Sequence, residues 1–114
     1  MPENIVQDWE NLLEKIEKVI GKKPADLNAV LFLIGLQELG QGLKQFTKEQ
    51  KQDLMHIAVC KILSRHGYYE FEGYDEQGWS HWKLIKKLPF LDILSQEDLL
   101  KSYIIDYFEN EVFP

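Results

Sequence analysis

Three side chains able to ligate a metal or activate a nucleophile, Asp53, His56 and Cys60, fall within one stretch of helical periodicity. At 100° per residue they share one side of a helix, away from the stripe formed by Leu54, Met55, Ala58, Val59 and Ile62. Steps of three and four residues allow chelation or a Cys–His pair. Asp53 and Cys60, however, stand seven residues apart, about 10 Å along a helix axis. A closed metal centre therefore needs further ligands, and His66 and His81 are the only other histidines.

His81 is the second point of interest. It sits between Trp79 and Trp82, close in sequence to Asp75 and Glu76. An imidazole near carboxylates can serve as a general base or a pH switch. No partner nucleophile or oxyanion donor is identifiable beside it, so a capping or turn-bonding role competes with catalysis. Phosphate-binding, dinucleotide, zinc-protease, nucleophile-elbow, Cys-x-x-Cys and EF-hand patterns are all absent, and no cofactor is expected.

The charge is unevenly distributed along the chain. Residues 1–66 hold nine acids and nine bases, so the net charge of −6 lies entirely within residues 67–114. Eleven of the fourteen aromatic residues are in that second part. Tyr and Trp favour protein interfaces, and clustered acids steer cationic partners. The pattern predicts a partner-binding surface built from Tyr68, Tyr69, Tyr74, Asp75, Glu76, Trp79, His81 and Trp82. Its competitor is an aromatic core end with acids solvating the outside.

The elements that must position these groups read mainly as helices. Ile5, Val6, Trp9, Leu12, Leu13, Ile16, Val19 and Ile20 make one stripe of a first helix over about 3–20, with Pro2 in its first turn and Gly21 as its stop. Pro24 and Asp26 open a second helix to about Leu39 that is apolar all round. Gly35 within it suggests a close helix contact, since glycine costs about 1 kcal/mol there. Thr47 and Gln50 match a capping box for a third helix reaching His66, with Gly67 as its stop. Tyr69 to Glu72 alternates with period two, and Asp75 to Gly78 is turn chemistry. A short helix is predicted over Ser80–Leu88, ended by Pro89. An apolar connector then spans Phe90–Leu94, and Ser95 with Asp98 is expected to cap a last helix to about Glu109.

Together these signals predict an all-α, compact single domain over 1–114. It has about five helices, with a short extended or irregular segment at 68–78 and the Ala29–Leu36 helix packed on the Leu54–Ile62 helix. The 114 residues suffice for a core without staples, and the single cysteine rules out an internal disulfide. An N-terminus without a basic and apolar leader, and no apolar run near 20 residues, predict a cytoplasmic protein with no membrane partner. Net acidity and a single arginine argue against nucleic acid. The expected function is a non-enzymatic protein-interaction module, binding a protein partner or itself as a homodimer. An inhibitor or immunity-like protein is a specific version of this reading. The alternative is a small metal-dependent or His-based enzyme.

Overall fold

The computed structural model describes residues 4–42, 44–89 and 92–113. They form four α-helices and a two-stranded antiparallel sheet, in the order α1 (Ile5–Ile20), α2 (Leu27–Leu39), α3 (Lys48–Ser64), β1 (Tyr69–Tyr74), β2 (Ser80–Leu84) and α4 (Ile93–Tyr107), followed by a π-helical turn over Phe108–Val112. The all-α expectation is thereby corrected. The segment predicted as the fourth of five helices, at 80–88, instead contributes Ser80–Leu84 as the second strand of a hairpin, and residues 85–88 are not helical. A helix of that length has few turns to offset nucleation, whereas β2 completes a ladder with the extended stretch before it.

Contacts divide the chain into two compact units, one formed by Met1–Ala25 with Pro89–Pro114 and the other by Asp26–Leu88. In the first, α1 starts at Asn4, whose side-chain oxygen accepts the Gln7 N–H at 3.2 Å. It ends at Gly21, whose φ of 81° is the left-handed cap the sequence predicts. The buried stripe is narrower than expected. Trp9, Leu12, Leu13 and Ile16 are buried, while Val6, Val19 and Ile20 near the helix ends are exposed. This stripe packs against α4, which buries Ile104, Ile105 and Tyr107. The Lys101 ammonium lies 5.3 Å from the centre of the Trp9 ring. Asp92, not Ser95, caps α4, its carboxylate accepting the Ser95 N–H at 2.8 Å. Both residue types satisfy an N-cap, so the cap rule alone does not choose between them. The chain then widens into the π turn, where Phe108 stacks on Phe113 with centroids 5.8 Å apart. Of the sequence features above, Pro2 and the Phe90–Leu91 part of the connector lie outside the described residues.

In the second unit, α2 begins with Asp26 accepting the Ala29 N–H at 2.9 Å. It packs on α3 at Gly35, where an added Cβ would come within 2.8 Å of the Leu54 carbonyl carbon. The close contact expected of Gly35 is therefore present. The Thr47–Gln50 capping box is reciprocal, with bonds of 3.1 and 2.9 Å. Leu54, Ala58 and Ile62 are buried as the period predicts, but so are Ile57, Cys60 and Leu63, so α3 is covered on two sides. In the hairpin, Tyr69 pairs with Leu84, Glu70 with Lys83 and Phe71 with Trp82. After a bulge, Gly73 pairs with His81 and Tyr74 with Ser80. No helix among the described residues is long and apolar enough to cross a membrane.

Candidate functional site

The hairpin owes its shape to Asp75. Its Oδ1 accepts the N–H groups of Gln77 at 2.9 Å and Trp79 at 3.0 Å, and its own N–H donates to the Trp79 carbonyl at 2.9 Å. These bonds close the turn and set the register of both strands. The other carboxylate oxygen, Oδ2, lies 3.0 Å from His81 Nε2. The His81 hydrogen bond, foremost, and the Trp79 N–H after it hold the Asp75 carboxyl below the usual carboxylate range. Because a carboxylate can only accept, Nε2 carries the proton in the neutral ring and Nδ1 is the lone-pair atom.

The bulge also decides which rings meet. The extra residue between Phe71 and Gly73 changes the alternation, so Tyr74 joins Phe71 and Trp82 on one face. The Phe71 centroid is 5.0 Å from that of Tyr74 and 5.3 Å from that of Trp82. Phe71 is 44% exposed and Tyr74 68%, while Trp82 is half-buried, its indole N–H donated to Ser80 Oγ at 2.9 Å. Leu84 on the same face is 50% exposed. Trp79 turns elsewhere. It is half-buried and meets Phe46 edge-on at 6.3 Å, and Phe46 meets Phe32 of α2 in the same way. Gln41 Nε2 adds a 2.8 Å bond to the Gln77 carbonyl, tying the turn to the α2–α3 loop.

Between α3 and the hairpin lies an open cleft of about 370 Å³. Asp53 and His56 line it from α3, and Asp75, Trp79, His81 and Trp82 line it from the hairpin. The fold thus brings together residues that the sequence assigns to two separate proposals. Cys60 is not among them. It is fully buried, its Sγ 3.5 Å from His56 Nε2, and burial pushes its thiol up to about 11. Such a thiol is neutral at pH 7 and poorly reactive. Among the described residues no three His, Cys, Asp or Glu side chains converge closely enough to hold a metal ion, and Asp53, His56 and Cys60 accordingly form no such group. Nor does a nucleophile hydrogen-bond His81 among the described residues, where its ring bonds the Asp75 carboxylate.

The remaining predicted surface residues are dispersed. Tyr68 is half-buried beneath the Lys86 ammonium, 4.8 Å from its ring centre, and its carbonyl accepts the Ile85 N–H at 2.9 Å, prolonging the hairpin. Tyr69 is half-buried near Cys60, and its hydroxyl is shifted up chiefly by that burial. Glu76 is exposed in the turn. The acids also part from the hairpin rings. The Asp26–Leu88 unit has eight acids and eight bases, whereas the unit of the two chain ends has eleven acids and five bases and so carries the whole −6. Splitting the chain by sequence position conceals this, because α4 belongs with α1. Phe71, Leu84 and the α3 contribution to the cleft are the site features sequence reasoning missed. Phe71 was legible in principle, as part of the alternating Tyr69–Glu72 stretch, whereas Leu84 depends on the pairing of its strand with Tyr69–Tyr74. No protein-family model, no curated protein and no solved structure matches the chain.

Proposed function

We propose that the protein is a non-enzymatic interaction module that docks another protein chain on the aromatic face of its hairpin. The observation that carries this reading is the Phe71–Tyr74–Trp82 cluster, whose rings pack on one another yet leave Phe71 and Tyr74 44% and 68% exposed. Exposed apolar surface is a standing source of association free energy, about 25 cal/mol per Å² when covered. Mutual packing holds the rings in place beforehand, which lowers the entropy lost on docking. Leu84 and Ile85, both half exposed, extend the apolar surface along and beyond β2. The hairpin itself, with Glu70, Glu72, Asp75 and Glu76 against Lys83, Lys86 and Lys87, is close to neutral. Contacts by rings rather than attraction by acids therefore support this reading, and the version with a basic inhibitor target draws on the other unit's charge.

The test pairs sedimentation of the purified protein with co-purification from its own cells, for the wild type and a Phe71→Ser/Tyr74→Ser variant whose circular dichroism is unchanged. A self-complex or a bound partner present in the wild type and lost in the variant is expected. Identical masses and identical bound proteins for both would remove the proposal.

A further inference from the structure

The cleft on α3, which shares Trp82 with the aromatic face, supports an inference about the chemistry of a ligand. Its lining contains two carboxylates, Asp53 and Asp75, two imidazoles and two indoles, and no lysine or arginine. The same unit carries eight cationic side chains, none of which lines this cleft. Lys44 lines an adjoining depression that shares Trp79, and there it donates to Gln41. A locally anionic cleft in a neutral unit selects for positive charge.

The two carboxylates are not equivalent. Asp75 is occupied by the Gln77 and Trp79 N–H groups and by His81. Asp53 is exposed at the cleft and makes no hydrogen bond or ion pair among the described residues. Indole faces attract cations through their quadrupole, and Trp does so more strongly than the other aromatic residues. The titratable groups do not converge tightly enough for a bare metal ion. A volume of about 370 Å³ lies instead in the range of small-molecule sites.

We infer that this cleft binds an organic cation of the alkylammonium or guanidinium class, its charge paired with the Asp53 carboxylate and its body laid against Trp79 and Trp82. The cation can come from a free amine or from a lysine or arginine side chain of a peptide.

Four small probes test the inference: n-butylammonium, n-butylguanidinium, and their neutral counterparts n-butanol and n-butylurea. Each is titrated into the full chain while the indole N–H resonances of the tryptophans are followed by NMR. Saturable shifts of the Trp79 and Trp82 signals by the two cations, with at least about tenfold weaker binding of the neutral probes, are expected. Asp53→Asn, a substitution at an exposed position, is expected to weaken the cations by about tenfold and to leave the neutral probes unchanged. Capped tripeptides Gly-Lys-Gly and Gly-Arg-Gly distinguish the sources: tighter binding than the butyl probes assigns the cation to a polypeptide, and weaker binding assigns it to a free amine. Equal binding of charged and neutral probes, no saturable shift with either cation, or an Asp53→Asn variant that binds cations as the wild type does would each overturn the inference. Asp53 is not part of the aromatic face, so Asp53→Asn is expected to lose cation binding while keeping docking on Phe71 and Tyr74, and the two readings fail separately.

Discussion

The two units use aromatic side chains in opposite ways. In the unit built from the chain ends, Trp9, Tyr107 and Phe108 are buried, and the acids of that unit project from a helical frame. In the Asp26–Leu88 unit the charge is balanced, and rings are held half-buried or exposed on a hairpin. Helices α1 and α4 each offer a continuous stripe to the other, so large rings there find a complementary surface. A two-stranded sheet is too narrow to cover all the rings it carries, so Phe71 and Tyr74 remain in contact with water. Aromatic content therefore says little about a docking surface until the partner element of each ring is known.

The contrast is tested most strongly by truncating one ring from each unit. Phe108→Ala should cost about 3–5 kcal/mol in urea unfolding, as expected for a buried phenylalanine. Phe71→Ala should cost about 1 kcal/mol, because its ring is already half in water. Equal losses would erase the distinction. A smaller effect is expected at the α2–α3 contact. Gly35→Ala gains about 1 kcal/mol in helix propensity but drives a methyl group into the Leu54 backbone, for a net destabilisation of about 1–3 kcal/mol in the same assay. A stabilised variant would show that the two helices can separate without cost.

Acid should loosen the hairpin through Asp75. Its carboxyl is lowered by the His81 bond and then by the Trp79 N–H, so the stability it contributes is fully present above the ordinary carboxylate range, near pH 4. That contribution is lost as pH falls through the lowered value. The near-ultraviolet circular dichroism of the tryptophans should hold from pH 7 to about 4 and decline below it, and Asp75→Asn should remove this step. A decline beginning well above pH 5 would assign the transition to other groups. The mildest expectation concerns Cys60. With its thiol buried and its pKa near 11, native protein should react with iodoacetamide at pH 8 far more slowly than protein in urea, with no change in stability. Rapid native labelling would place Cys60 at the surface.

Several elements were legible from local chemistry. The Asp26 cap, the Thr47–Gln50 box and the Gly21 stop each depend on bonds within a few residues, so residue type and spacing specify them. The Gly35 contact was legible too, because glycine inside an apolar helix has a cost that close packing offsets. The hairpin was only half legible. Its first strand and turn were readable, but Ser80–Leu84 has the composition of a short helix, and its extended form depends on pairing with Tyr69–Tyr74. Of the site, His81 beside Asp75 was suggested by proximity in sequence. Its meeting with Asp53 and His56 was not, since more than twenty residues separate them.

By itself the sequence determined where α2 and α3 begin, where α1 stops, and that Gly35 faces a crowded neighbour. Periodicity and capping act over one or two turns and need no knowledge of the rest of the chain. Only the tertiary structure decided that Ser80–Leu84 is a strand, that the acids of α4 belong with α1, and that α3 and the hairpin share a cleft. Each of those outcomes rests on contacts between segments distant in sequence, where burial and strand pairing outweigh local preference.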